Sequence, residues 1–329
     1  MDKTTLALPE SPELAKAYGW HKANKALGTV GAELACLFCA VARAPIAFAH
    51  AKANTSEDKL FHQLLGQLPP LSVLLVDAGY YSFALFQKIR LDPTRHFVVP
   101  ASLTTRPRMV KKLGPHGFLA EIADSKDKSA TMLVRVFYVY RDGFRRRRLV
   151  TSLLDPDEFP AVEVAALYRR RWSIETFYKE FKVEMQANKW HCATPECFQK
   201  ELACQMIVAC MAKLAMGEAA AEAGLTPCDL SFAHAYAGLK CLFARALMRA
   251  GSGPGSWEDD RRSYLGQCAK REAGGKPGRS FPRDKQQYRK KGRGLLKKRR
   301  GRPRKKVERP KRPAPETLTN LKGVTVLLG

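Results

Sequence analysis

Tyr168, Arg171, Glu175 and Lys182 stand at offsets of 0, 3, 7 and 14 within one short segment, Tyr168 to Lys182. On a helix turning about 100° per residue, these four side chains fall within a stripe roughly 60° wide. A phenol, a guanidinium, a carboxylate and an ammonium on one stripe suit a charged ligand. The carboxylate can hold a hard cation, and the two cations can hold phosphates. Asp77 offers a second carboxylate. It follows the apolar run Leu74-Leu75-Val76 and precedes Ala78-Gly79, at the carboxyl end of an expected buried strand, where open α/β sheets carry their chemistry. Plainer readings stand beside these. Glu175 can pair with Arg171 four residues earlier, Asp77 can cap its turn, Arg171 and Lys182 can reach into solvent, and Tyr168 can belong to the core. Carboxylates scattered along a chain suit phosphodiester cleavage if the fold gathers them. Two divalent ions about 3.5–4 Å apart can then serve the attacking and leaving oxygens.

The elements that must position these groups follow from periodicity and turn residues. Residues 29–50 are apolar and β-compatible, although their alanines leave a helix open. Ser56 followed by Glu57 and Asp58 predicts a helix over 56–68. Residues 71–76 read as a buried strand and 82–90 as a helix. Segments 96–99, 117–123, 131–140 and 148–154 are rich in Val, Phe, Tyr and Leu and predict strands. Asp142-Gly143 signals a hairpin. Arg145–Arg148 can follow phosphates or simply keep a solvated hairpin edge basic. A helix is expected over 160–185, a second apolar one over 197–223 and a third over 227–249. Gly251-Ser252-Gly253-Pro254-Gly255 signals a linker.

The net charge is +26 over 329 residues, which predicts a polyanionic partner, nucleic acid ahead of an anionic membrane. No run of 18 uninterrupted apolar residues occurs, so no membrane span is expected. Nine cysteines suggest no disulfide framework and fit a reducing cytoplasm. Cys204, Cys210 and Cys241 read as buried thiols. The Cys36–Cys39 pair lies in an apolar stretch without turn residues and reads as core rather than as a zinc site.

From Arg283 to Arg312 the chain carries 17 Lys or Arg against Asp284 and Glu308. Such a run cannot bury a core and is expected to be disordered when free. Its Arg299-Arg300-Gly301-Arg302-Pro303-Arg304-Lys305 resembles an AT-hook, whose flat Arg-Gly-Arg-Pro centre enters narrow A·T minor grooves. That makes Arg300, Arg302 and Arg304 candidate DNA contacts. Non-specific phosphate neutralisation is the simpler reading.

The Tyr-Arg-Glu-Lys spacing resembles the hallmark of the insertion-sequence-four family of DDE transposases. Leu74 to Ser82 is similar to that family's second-aspartate block, and Met1 to Ser11 to its first-aspartate block. The resemblance covers roughly residues 1–215. It implies an α/β fold: an RNase H-like catalytic core interrupted by a β-rich insertion, with the disordered basic tail behind it. It implies a catalytic, metal-binding triad of Asp2, Asp77 and Glu175 holding two magnesium ions, with manganese as a replacement. It further implies DNA contacts by Tyr168, Arg171 and Lys182. The expected partners are double-stranded DNA, as transposon ends and target, and a second copy of the chain on that DNA. No membrane partner is expected, and the setting is nucleoid-associated. The implied activity is hydrolysis at the transposon ends and strand transfer to target DNA; a nuclease on the same metal core is a third reading. Members of the family carry a domain before the first aspartate, so a chain starting one residue ahead of Asp2 reads as truncated, or as started internally. A non-catalytic DNA-binding remnant is therefore the alternative. The expected division is 1–94 and 155–250 as the two parts of the core, 95–154 as the insertion, and 251–329 as linker and tail.

Overall fold

The structure, a computed structural model, describes residues 1–21, 28–101, 105, 107–114, 117–125, 127–140, 146–249, 254–270 and 325–328. Its centre is a mixed sheet. The first half holds β1 (Asp2–Ala7), β2 (Trp20–His21), β3 (Thr29–Cys39), β4 (Ala44–Lys52) and β5 (Ser72–Leu75). The second half holds β6 (Arg95–Ala101), β7 (Arg108–Lys112), β8 (Gly117–Ala123), β9 (Thr131–Val139) and β10 (Arg147–Thr151), and a last strand is β11 (Thr325–Leu328). The helices are α1 (Pro12–Tyr18), α2 (Glu57–Leu64), α3 (Phe83–Ile89), α4 (Ala161–Arg169), α5 (Ser173–Lys179), α6 (Pro195–Glu222), α7 (Phe232–Met248) and α8 (Pro254–Ala269).

Strand β3 pairs antiparallel with β1 on one side and with β4 on the other. β5 pairs parallel with β6, and β6 leads through β10, β9 and β8 to β7. The strands expected as a β-rich insertion thus continue the same sheet. β7 was not expected from the sequence, because all five of its residues are exposed and an exposed edge strand lacks the apolar alternation that marks a half-buried one.

Side-chain alternation divides this sheet into two cores. Val30, Ala32, Leu34, Cys36 and Phe38 of β3 face one, together with Leu6, Val73 and Leu75. Ala35, Leu37 and Cys39 face the other, with Leu74, Val76, Phe97 and Val99. Helices α4 to α8 supply the first core, and α2 and α3 the second. Cys36 and Cys39 are three residues apart and so lie on opposite faces, which rules that pair out as joint metal ligands.

β11 fills a particular gap. It pairs parallel with β5, Thr325 to Leu328 against Ser72 to Leu75, and antiparallel with β3 at Phe38 and Cys39. β1 takes up β3 from Cys36 onward. The two strands therefore run end to end along β3, and the Met1 amine donates to the Leu75 carbonyl at 3.2 Å where they meet.

Several expectations change. Pro254–Ala269, expected as linker and tail, is a helix that packs on α6 and α7. Its Tyr264 hydroxyl donates to the Ala235 carbonyl at 3.0 Å. The ring fits because α7 has Gly238 beneath it, where a Cβ would lie 2.9 Å from Tyr264 Cε2. Cys204 and Cys241 are exposed rather than buried, and Cys210 is half-buried. On α6 the inward face is Phe198, Leu202, Met206, Ala209 and Ala212, and Cys204 falls two residues from Leu202, on the other side. α6 is a helix long and apolar enough to cross a membrane by length and composition. Its inward face, however, is spent on the core, including the buried Lys213 that pairs with Glu180. The Asp142-Gly143 hairpin, Arg145 and the basic run with Arg300, Arg302 and Arg304 lie outside the described residues.

Candidate active site

Strand parity aims Asp2 and Asp77 at one face. Asp2 shares the face of Leu6 four residues on, and Asp77 that of Leu75 two residues back, since Asp77 is itself extended (φ −78°, ψ 168°). Both Leu6 and Leu75 belong to the core that α4 and α5 cover. Two tyrosines of the motif segment fasten those helices to the aspartate-bearing strands. The Tyr178 hydroxyl donates to the Asp2 carbonyl at 2.6 Å and accepts from the Cys36 N–H at 3.0 Å. The Tyr168 hydroxyl donates to the Val76 carbonyl at 3.2 Å, one residue before Asp77. Tyr168 is buried, so its hydroxyl holds the strand end and does not reach solvent.

The motif segment is not one even helix. A 3₁₀ turn over Arg170–Trp172 separates α4 from α5, and a π-turn covers Glu180–Glu184. The uniform 100° step therefore fails at both ends of the stripe, near Tyr168 and at Lys182. The Arg171–Glu175 contact survives across the junction of the 3₁₀ turn and α5. There Arg171 Nη2 lies 3.4 Å from Glu175 Oε1, and the Arg171 guanidinium stacks 4.5 Å from the Trp172 ring centroid. Arg171 is buried and Glu175 largely exposed. Lys182 is half-buried, and burial lowers its pKa while the Glu33 charge opposes that. Wide turns of this kind recur at functional sites because they re-aim the following side chains.

Asp77 bears on both Asp2 and Glu175, and Asp2 bears on Glu175. Burial raises the Asp2 carboxyl; the chain's amino terminus, the Lys3 N–H and Arg171 pull it down, and Asp77 pushes it up. Burial also raises Glu175, Arg171 opposes, and Asp2 and Asp77 add to the rise. Asp77 is exposed and accepts a hydrogen bond from the Ala78 N–H at 2.6 Å. A further carboxylate, Glu57 in the first turn of α2, belongs to the same neighbourhood. Burial raises it first, then Asp2, with Asp77 a smaller contribution. The sequence marked Glu57 only as an acid suited to a helix start; nothing in its spacing pointed to Asp2, because a fold contact across 55 positions leaves no periodic trace.

The sequence matches the family described as "Transposase DDE domain" over residues 1–211. The chain belongs to the DDE transposase family. Its type is that of the insertion-sequence-four transposases: it is 29% identical over 206 residues to "Transposase InsG for insertion sequence element IS4" of Escherichia coli strain K12. That match takes in 59% of this chain and 46% of the relative, so the chain spans about half the length of the curated relative. A solved structure described as "piggyBac transposase synaptic complex with hairpin DNA" aligns with a TM-score of 0.44 at 10% identity, over 80% of this chain and 56% of that one.

As a DDE domain, this chain offers an all-oxygen set, Asp2, Asp77 and Glu175, whose chemistry fits a hard divalent cation. Among the described residues no group of three or more His, Cys, Asp or Glu side chains stands close enough to hold one. Glu175 is turned to Arg171 instead. In this arrangement the three acids do not form a set of metal ligands, and Glu175 would have to leave Arg171 to join Asp2 and Asp77 around an ion.

Proposed function

We propose that this chain is a transposase catalytic domain that cuts the phosphodiester at each transposon end and joins the freed 3′-OH to target DNA. The observation that carries this reading is a pair of tyrosine ties that hold the Glu175-bearing segment over the two aspartate strand ends, Tyr178 to the Asp2 carbonyl and Tyr168 to the Val76 carbonyl, one residue before Asp77. Asp2 lies on β1, which pairs with β3 alone, Asp77 follows β5 and Glu175 lies on α5. The RNase H-like expectation of a central strand for the first acid is met only in that β1 and β11 together line the inner side of β3.

Asp2, Asp77 and Glu175 would hold magnesium, and a divalent ion there would supply charge to the reacting phosphate oxygens. Arg171, buried beside the Trp172 ring, would meet a phosphate only once Glu175 turns away and opens its guanidinium to the ligand. Lys182 adds a second cation on the same segment. Tyr168 and Tyr178 set the height of the helices over the strand ends. The basic run that includes Arg300, Arg302 and Arg304 would add phosphate or minor-groove contacts along double-stranded DNA. Two ends brought together require two copies on the DNA.

A second reading, a DNA-binding remnant without catalysis, is favoured by the Arg171–Glu175 pair. Strand cleavage and joining on DNA carrying the element's terminal repeats, with and without magnesium, separates the two. Magnesium-dependent product that disappears with Asp77→Ala supports the transposase. Binding without product under all conditions establishes the remnant.

A further inference from the structure

α6 leaves one face uncovered by the rest of the described chain. Its core-facing residues recur through Phe198, Leu202, Met206, Ala209 and Met216. On the opposite side Cys204, Ile207, Met211 and Leu214 are all exposed, Ile207 by 58% and Leu214 by 64%. Their spacing alternates three and four residues, the repeat of a helix seam that meets another helix. Lys200 continues the stripe at one end and Glu218 at the other, both exposed.

The stripe is symmetric about Ala209. A second, antiparallel copy of α6 crossing there sets Ile207 opposite Met211 and Cys204 opposite Leu214. The same register sets Lys200 opposite Glu218, an opposite-charge pair at each end of the seam. Ala203 and Ala215, both half-buried, flank the stripe on its two sides and keep its borders low. A parallel copy would bring Lys200 to Lys200 and Glu218 to Glu218, which like charge disfavours. Within one chain Lys200 is paired with Glu196 at 2.7 Å, and Glu218 with Arg261. Both pairs are exposed and free to exchange partners.

We propose that this face of α6 is a self-association surface, on which a second copy of the chain packs its own α6 antiparallel about Ala209. The proposal names a surface for the two-copy arrangement but does not depend on DNA or on catalysis, because its test uses the protein alone.

Sedimentation of the full chain without DNA should show a concentration-dependent dimer. Lys200→Glu alone and Glu218→Lys alone should each weaken it by roughly tenfold or more, and the two together should restore it. Leu214→Cys should form an interchain disulfide with the native Cys204 under mild oxidation; the two positions are ten residues apart on one helix, too far for a bond within a chain. A monomer at every concentration overturns the proposal. So does a double exchange that fails to restore association, or a Leu214→Cys chain that stays uncrosslinked while remaining dimeric. Flotation of the wild-type chain with neutral vesicles, lost on Leu214→Glu while no dimer forms, would assign the face to a membrane and also overturns it.

Discussion

The Tyr178 hydroxyl donates a 2.6 Å hydrogen bond to the main-chain carbonyl of Asp2. The helix bearing Glu175 is thereby tied to the strand bearing Asp2, and the same oxygen accepts from the Cys36 N–H on the neighbouring strand. Burial and the surrounding Cys36 and Asp2 groups hold the Tyr178 phenol far above its ordinary pKa, so it remains a donor across the working range. Tyr178→Phe leaves both the Cys36 N–H and the Asp2 carbonyl short of a partner in a dry setting. The expected loss is about 1–3 kcal/mol of stability, read by denaturant unfolding, together with a fall in cleavage rate at unchanged DNA affinity. A variant as stable and as active as the parent would show that the tie is dispensable.

Glu175 and Arg171 predict a split between binding and chemistry. Glu175→Ala removes a proposed metal ligand and takes the carboxylate from beside the buried Arg171 guanidinium, so stability should fall by about 1–3 kcal/mol while the chain stays folded. Magnesium-dependent cleavage should fall below detection while gel-shift affinity for end DNA holds or rises, since Arg171 is released to phosphate. Retained cutting and joining would remove Glu175 from the catalytic set.

The crowding of Glu57, Asp2 and Asp77 should be visible in stability against pH. Burial and neighbouring acids raise Glu57 above its ordinary value. An acid raised on folding binds protons more readily in the native state, so its contribution is full below the unfolded pKa and is lost as pH rises through the folded one. In metal-free buffer, Glu57→Gln should therefore gain melting temperature over the parent as pH climbs from about 4 to 7, and adding magnesium should narrow the gap. A difference that does not vary with pH would place Glu57 outside this neighbourhood.

The end-to-end meeting of β11 and β1 gives a prediction for the last residues of the chain. Removing 322–329 strips hydrogen-bond partners from β5 and from the Phe38–Cys39 end of β3. With each buried bond contributing about 1 kcal/mol, the loss should reach several kcal/mol. Hydrogen exchange should accelerate within Ser72 to Leu75, the residues β11 pairs, while the Val76 N–H, bonded to the Val98 carbonyl, should change less. A synthetic peptide of the removed residues should restore protection. Unchanged exchange in the shortened chain would show that β11 contributes nothing to the sheet.

Much of the site was legible in the sequence because it rests on local spacing. The strand before Asp77, the helix start at Ser56 and the Arg171–Glu175 interval each depend on neighbours within a few residues, and turn chemistry and helix periodicity report such relations directly. The net charge of +26 likewise carries the expectation of a polyanionic partner without any fold. What the tertiary structure decided has a different origin. The motif segment carries a 3₁₀ turn and a π-turn and is fastened by Tyr168 and Tyr178 to two strands distant in sequence, none of which its spacing announces. Glu57 comes beside Asp2, and Thr325–Leu328 beside Ser72–Leu75, through pairings across long separations. Such contacts depend on which faces the sheet has left to fill, and a one-dimensional pattern holds no record of that.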